Sequence, residues 1–405
     1  MKYDVIIVGG GPAGSTAAKI LSEKGVKTLL IDKDRFPRDK PCGGGLPCRV
    51  IQRFPYIKNE GLIESYSYGG YAYYQVSKYE LEHIGADPLI GMVLRKKFDH
   101  GLIKLAIESG CEMKQDSRVI NVKITDEKAK VFLENGESVD SEIIIGADGV
   151  NSVIAKKTGL RSRNFQRGIC VLQEFKIGKK VVEEYFTEKR LCYIHSRFKD
   201  VSGYGWVFPK KEHINIGIGE MIRSSGNSGK KVNLLEVYEE YIKMLRHQKI
   251  IPRDLKVGRC IGGALPIYPL EKTYSDRVIL VGDAAGIISC TTGEGIYYAM
   301  SSGEHAANTI LELLSEMRTD ETSLSKYEES WKNDFGKELN ILKKVVKRQS
   351  PRSVEKLFKK AHNDKKLTEL LIEIMLGKLS IAECKNEIIK RYIYASLKSI
   401  LPFKQ

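Results

Sequence analysis

The sequence predicts an α/β protein, α+β overall. It has a Rossmann-like dinucleotide-binding domain, an inserted mixed β-sheet substrate domain and a helical C-terminal region. Three observations predict this. The hexapeptide Gly9-Gly10-Gly11-Pro12-Ala13-Gly14 stands between an apolar run and a helical pattern. Two further apolar runs end in GADG and GDAAG, placing Asp beside glycine where a strand gives out. From about residue 320 onward, apolar residues recur every three to four positions with lysines between them.

The elements follow in order. Tyr3–Gly9 is continuously apolar and reads as a buried parallel strand. Ala13–Lys24 carries Ala17, Ala18 and Leu21 at helical spacing and stops at Gly25; Lys27–Asp32 is a second buried strand. This strand–helix–strand unit opens a doubly wound sheet. Residues from about 62 to 92 are rich in tyrosine with partial alternation and read as strands of a second layer. Lys96–Glu108 returns to helical spacing, and Val119–Val139 is a hairpin set around Asn135-Gly136. Ser141–Gly146 and Arg277–Gly282 are further buried strands, with strand-like segments from about 160 to 260 between them. A helical pattern begins at Gly295. The expected nucleotide-binding domain is therefore discontinuous (1–61, 92–158 and 259–320). Residues 62–91 and 159–258 form the substrate domain, and 321–405 the helical region.

With 405 residues, 42% hydrophobic and 29% charged, the chain can bury more than one core. It contains no apolar run long enough to span a bilayer, and with a strand expected from Tyr3 no secretory signal is expected. Eight cysteines are scattered without CxxC spacing, so neither a metal site nor a disulfide framework is expected. A reducing cytoplasm is the expected location. The net charge of +15 is uneven: Ile341–Gln405 holds 16 Lys and Arg against 6 Asp and Glu. Such a surface suits anionic lipid headgroups or an acidic protein. With no zinc spacing and no RNA-binding signature, nucleic acid is not expected.

Gly9, Gly11 and Gly14 supply GxGxxG, allowing a tight turn, close approach of a pyrophosphate, and close helix–strand packing. Pro12 and Ala13 open a helix whose positive N-terminus faces the phosphates. Asp32 ends the next strand at the spacing expected for a ribose hydroxyl pair, with Lys33 beside it.

In this order and spacing, GGGPAG, IIIGADGVNS (143–152) and VILVGDAAG (278–286) resemble the signature of the p-hydroxybenzoate-hydroxylase-like flavoprotein superfamily. The resemblance implies FAD as cofactor. It implies that Asp283 bonds the ribityl chain while Gly282, Ala284 and Gly286 let backbone lie along the flavin. Asp148 would brace the loops beside it, and Arg95 would reach the ribityl–pyrophosphate region; Val119 joins the same expected set. Gly293, Gly295 and Ile296 begin the final helix, whose N-terminus would stabilise negative charge on the reduced ring.

Within that superfamily, KPCGGGLP (40–47) resembles the segment carried here by the geranylgeranyl reductase family. GYGWVFP (203–209), followed by HINIGIGE (213–220), is similar to the family's aromatic-x-Trp-x-Phe-Pro element. The resemblance covers residues 1 to 310. It implies saturation of isoprenoid double bonds, with Cys42 at the head of a loop near the flavin and Gly43, Gly44 and Gly45 admitting cofactor and substrate. The Cys42 thiol would act as proton donor, trap or simple packing group. Unactivated alkenes offer no carbonyl to stabilise a carbanion, so protonation at one carbon and hydride transfer to the more substituted one are expected. A dry aromatic wall suits that chemistry. Tyr204, Trp206, Phe208 and Pro209 are the expected substrate residues, with Tyr66, Tyr68, Tyr71 and Tyr73 behind them. Cys290 departs from the family's commoner proline.

Archaeal members of the family act on membrane phospholipids with geranylgeranyl ether chains, and such a lipid is the expected substrate ahead of geranylgeranyl diphosphate or a chlorophyll-type chain. The expected electron donor is ferredoxin, NAD(P)H or a reduced deazaflavin. The basic stretches Leu342–Lys347 and Lys366–Leu379 are expected to rest on a membrane surface. A flavin monooxygenase or halogenase is the enzymatic rival, and a non-catalytic flavin-bound lipid carrier the rival from another class.

Overall fold

The computed structural model describes residues 2–221, 232–314, 316 and 318–400, with side chains to 396. The chain divides into two compact units, Met1–Lys40 with Arg95–Arg167 and Leu265–Asn340, and Pro41–Leu94 with Gly168–Ala264 and Ile341–Gln405.

The first unit is built on an eight-stranded sheet. Its main path runs Tyr274–Ser275, Val278–Leu280, Ser138–Gly146, Lys2–Val8, Thr28–Ile31 and Glu112–Lys114. All neighbours on this path are parallel except the first pair. The central strands read as unbroken apolar runs because both faces are covered: Val5, Ile6 and Ile7 are all fully buried. Ala129–Leu133 pairs antiparallel with both Ser138–Gly146 and Val119–Ile124. The expected Asn-Gly turn closes this hairpin, with Gly136 at φ +87° and the Glu137 amide donating to Asn135 Oδ1 at 3.1 Å.

The helix Pro12–Glu23 packs on the long helix Ile296–Leu314 through small residues. A Cβ on Gly303 would stand 2.3 Å from the Ala13 carbonyl oxygen, so only glycine lets the backbones meet. The helix Glu321–Trp331 also belongs to this unit, because the amide and hydroxyl of Thr273 both donate to Glu328 Oε2 at 2.9 Å. Residues 321–340 thus close the nucleotide-binding unit instead of opening a separate helical region.

The second unit is built on a seven-stranded sheet, in the order Ile261–Pro266, Arg167–Lys176, His213–Glu220, Gly203–Pro209, Cys192–Ser196, Gly69–Tyr74 and Glu80–Ile84. Alternation decides its faces. Val207, Ile214, Ile216 and Ile218 turn to the helices Lys179–Phe186 and Leu234–His247, where Tyr238 and Tyr241 are fully buried. Tyr204, Trp206, Phe208, Cys170 and Leu172 turn the other way. Residues 222–231, inside the segment expected to be strand-like, lie outside the described residues.

Three expectations are corrected here. Residues 41–61 belong to this unit, since Gly45–Pro47 is a strand paired with Ile90–Met92, which also pairs with Ser65–Ser67. Tyr71 and Tyr73 are not behind the aromatic wall. Tyr71 is register partner to Tyr193, itself partner to Val207, and stacks on Tyr193 at 5.1 Å, so it lies on the helix-facing side. The C-terminal segment is no separate region. Helices Pro351–His362 and Lys365–Met375 cover the wall face beyond Tyr204, burying Phe358, Leu367 and Leu371 against Ala72, Tyr74 and Ile194. Each such side chain contributes roughly 1.5–3 kcal/mol. The apolar face of Lys366–Leu379 is therefore spent on this protein's own sheet, and Leu342 and Val346 of the earlier stretch are buried as well. Residues beyond 400 lie outside the described residues.

Candidate active site

In the first unit the predicted residues converge where the strands end. The Gly9 amide donates to the Ile31 carbonyl at 2.8 Å, and the Ala147 amide to the Val8 carbonyl at 2.8 Å, drawing three strand ends together. A Cβ on Gly14 would stand 2.0 Å from the Gly9 oxygen. At Gly11 the neighbourhood opens: an added Cβ would meet only Arg38 Nη2, at 4.0 Å. Gly11 caps the helix Pro12–Glu23 with no side-chain hydrogen bond, leaving the first-turn amides of Ala13 and Gly14 to an anion.

Asp32 is buried, accepting from the Gly10 amide at 2.6 Å and the Asp34 amide at 2.8 Å. Its carboxylate is thus fixed at the strand end with lone pairs remaining for a ribose. Lys33 is exposed and pairs with Asp34. Val119 is buried at the start of its hairpin strand. The segment just before it reaches the cradle, where the Ser117 amide donates to the Asp32 carbonyl at 2.9 Å.

Arg95 is held by Asp99 through a bidentate pair, at 2.7 and 2.8 Å. Asp99 is fully buried and also lies 3.1 Å from Nη1 of Arg38, whose guanidinium stacks over Phe36 at 4.6 Å. Arg38 Nε also lies 3.7 Å from Asp34 Oδ2, so the guanidinium is held between two carboxylates beside the Gly11 turn. Sequence reasoning missed Arg38; its signal was a basic residue six positions after Asp32.

Asp283 sits in the turn Gly282–Ala285, tied down by the Gly282 amide donating to Ser302 Oγ at 2.9 Å. Gly286, at φ +74°, presses within 2.3 Å (as Cβ) of the Tyr268 carbonyl oxygen; Ala284 is buried. Burial pushes the Asp283 carboxyl up, and Lys40 and Arg95 pull it down. Gly295 lies against it, its would-be Cβ 3.6 Å from Asp283 Oδ1. The loop carrying Gly293 folds on itself before Ile296, with the Gly293 amide on the Ser289 carbonyl at 2.9 Å. Glu294 takes the Tyr297 amide at 2.8 Å, so this helix start is already partly capped by a carboxylate. Cys290 is buried in the same loop. Asp148 acts as an N-terminal brace, accepting from the amides of Val153 at 2.6 Å and Ile154 at 3.2 Å. Burial pushes its carboxyl up, against the hydrogen bonds that stabilise its charge. A cradle without side chains at Gly11, an uncapped helix start and the Arg38 guanidinium facing it together fit a dinucleotide diphosphate.

In the second unit, Cys42, Gly43, Gly44 and Gly45 meet the aromatic wall. A Cβ on Gly43 would stand 2.9 Å from Phe208 Cδ2 and 3.2 Å from Trp206 Nε1. On Gly44, at φ +78°, it would stand 2.2 Å from the Val93 carbonyl oxygen; on Gly45, 2.8 Å from Ile90 Cδ1. The three glycines therefore make room for the protein's own wall and backbone. Cys42 is half-buried, and its sulfur accepts from the Gly44 amide at 3.4 Å. Tyr204, Trp206 and Phe208 share one face, with ring centroids 5.7 and 6.4 Å apart in sequence. Burial, then Cys170 and Cys42, raise the Tyr204 phenol, which stays protonated. Pro209 is corrected: it pairs with Ile214 and falls on the helix-facing side. Asn215, Glu174 and Lys210, none of them predicted, lie directly behind the Cys42 loop.

The FAD binding domain family matches residues 2–335 of the chain. A digeranylgeranylglycerophospholipid reductase of Methanococcus vannielii is 32% identical over 95% of each chain. The chain belongs to the geranylgeranyl reductase family of FAD-binding flavoproteins. Its cofactor is FAD and it is an FAD-dependent oxidoreductase. A crystal structure of a geranylgeranyl bacteriochlorophyll reductase-like protein of Thermoplasma acidophilum superposes with a TM-score of 0.77 at 25% identity, covering 97% of this chain and 99% of that one. A flavin-dependent brominase, at TM-score 0.73 and 19% identity over 96% and 99%, shares the fold alone.

Proposed function

We propose that this reductase saturates the C=C bonds of geranylgeranyl chains on archaeal-type ether phospholipids. The observation that carries the reading is the wall of Tyr204, Trp206 and Phe208 seated against the glycines behind Cys42, together with the relative's activity. Bound FAD, once reduced, supplies the hydride. The chain supplies the rest. Gly9–Gly14, Asp32, Arg38, Arg95 and Asp283 hold the cofactor. The aromatic face and Leu172 exclude water, and their π faces favour transient positive charge on the more substituted carbon. In this reading Cys42 presents its thiol to the reacting bond and gives the proton to the other carbon, recovering it from solvent afterwards.

The test is direct. Purified holoprotein, reduced with dithionite, is incubated with a digeranylgeranylglycerophospholipid, geranylgeranyl diphosphate or a geranylgeranylated chlorophyll, and products are read by mass spectrometry. Gain of two hydrogens per bond on the phospholipid supports the reading; gain on either other substrate alone reassigns it. Cys42→Ala is expected to slow the gain while leaving FAD bound. Oxygen-dependent NADPH consumption with an aromatic substrate, and no prenyl reduction, would favour the monooxygenase or halogenase alternative. Repeating the assay with ferredoxin, NAD(P)H or reduced deazaflavin identifies the donor.

Membrane docking belongs to the same proposal, moved to a different helix. Among the described residues no helix is long and apolar enough to cross a membrane. The helix Ile381–Ile400 exposes Ile389, Ile393 and Tyr394 at 47%, 52% and 52%, with Lys385 and Lys390 on the same helix. An amphipathic, basic helix of this kind suits an anionic lipid surface.

A further inference from the structure

We propose that Asn215 is a positioning residue that sets the Cys42 loop and the Trp206 indole in one fixed relation, with Glu174 and Lys210 holding Asn215 in turn. The inference rests on the reading of Cys42 and Trp206 as reaction-side residues, and deepens it.

Asn215 is fully buried and makes three hydrogen bonds. Its Oδ1 accepts from Trp206 Nε1 at 2.8 Å; its Nδ2 donates to the Cys42 carbonyl at 3.2 Å and to Glu174 Oε2 at 3.0 Å. The amide can point only one way. An indole N–H is a donor and nothing else, so it requires the oxygen; a carbonyl and a carboxylate accept and nothing else, so both require the NH2. No other side chain of this size satisfies all three. Aspartate would set a carboxylate against two acceptors, and leucine would deprive all three groups of their partner, the buried indole N–H among them.

Behind Asn215, Lys210 donates to Glu174 Oε2 at 2.5 Å and is itself 1% exposed. Its Nζ lies 2.8 Å from where a Gly44 Cβ would be, so the ammonium props the loop from beneath. The Gly44 carbonyl accepts from the Val93 amide at 2.8 Å. The loop is thus held at Cys42 by Asn215, at Gly44 by Val93 and from below by Lys210. An ion pair with one buried partner is a poor source of stability, because desolvation of the ammonium offsets the attraction. What this pair does provide is a fixed acceptor for Asn215 Nδ2. Glu174 Oε1 is buried without a hydrogen-bond partner, so the carboxylate is directed by its other oxygen alone.

The test reads Cys42 itself. Holoprotein is alkylated with iodoacetamide in the absence of substrate, and each cysteine is followed by peptide mass spectrometry. Cys192, buried, and Cys384, half-buried on the last helix, serve as internal references. In Asn215→Asp the Cys42 rate is expected to change by roughly fivefold or more, since both donor bonds of Asn215 are lost, while both references stay unchanged. With prenyl substrate, kcat is expected to fall more than KM rises. Should Asn215→Asp open the fold, Cys192 will react; Glu174→Gln, which keeps an acceptor for Asn215, is then read instead and is expected to shift Cys42 alone by about threefold. A Cys42 rate within twofold of the parent in the folded variants overturns the proposal. The alkylation contrast needs no turnover, so it stands or falls apart from the substrate: a protein that reduces no prenyl chain but shows the contrast overturns only the substrate reading.

Discussion

The indole of Trp206 lies across Gly217, its register partner on the next strand, so closely that a Cβ there would fall 2.2 Å from ring atom Cζ2. Gly217→Ala must therefore tip the ring and break its bond to Asn215. Overpacking of this kind costs about 1–3 kcal/mol. The urea midpoint is expected to fall accordingly, and prenyl reduction to drop roughly 10–100-fold through misplacement of the wall.

Arg38 and Lys33 separate two views of the cradle. Arg38→Met keeps the packing on Phe36 and removes the charge facing Gly11. Titration of apoprotein with FAD is expected to show affinity weakened about 10–100-fold, the worth of a charge-assisted contact. Lys33→Ala, at an exposed residue paired with Asp34, is expected to change nothing measurable.

His195 predicts an acid limb. It is fully buried, with Nδ1 2.9 Å from the Tyr241 hydroxyl, and burial lowers its pKa from 6.5 to about 3. Between those values the unfolded chain binds a proton that the folded chain refuses. Stability is therefore complete above pH 6.5 and is lost as pH falls toward 3, at roughly 1.4 kcal/mol per pH unit for this one group. Denaturant midpoints measured across that window are expected to fall in the parent, and less steeply in His195→Leu.

The last helix makes the membrane proposal specific. Ile389→Asp with Ile393→Asp is expected to reduce flotation with anionic vesicles while leaving thermal stability and FAD content intact, because both residues are exposed. Leu371→Asp, in the stretch first expected to meet the bilayer, is expected to unfold the protein instead, since Leu371 is buried in the sheet's cover. Equal flotation of the double variant and the parent would remove the proposal.

Local pattern carried the nucleotide-binding unit. Each strand end there is marked by glycine, and the hydrogen bonds that gather Gly9, Asp32 and Ala147 run between neighbours in a parallel sheet whose order follows from connection rules. The aromatic wall was expected from the resemblance of GYGWVFP to the family's element, and Tyr204, Trp206 and Phe208 alternate onto one face. Alternation fixes which residues share a face but not which strands adjoin, and so Tyr71 and Tyr73 were assigned to the wrong side. Lysine-flanked apolar helices carry no mark of what they cover; Lys365–Met375 was free to be membrane-facing until Tyr74 and Ile194 appeared beneath it. Asn215 stood in plain view within HINIGIGE, yet its meaning depends on Cys42, 173 residues away.

Tyr74 donates its hydroxyl to the Pro351 carbonyl across 277 residues, and His362 Nδ1 sits 2.8 Å from the Glu80 carbonyl oxygen on the sheet's outermost strand. The ribosome makes that edge long before it makes its cover. At ordinary elongation rates the bare hairpin waits roughly ten seconds to a minute for its partner to emerge. A nascent chain of this protein therefore carries that hairpin without its later cover through most of its synthesis.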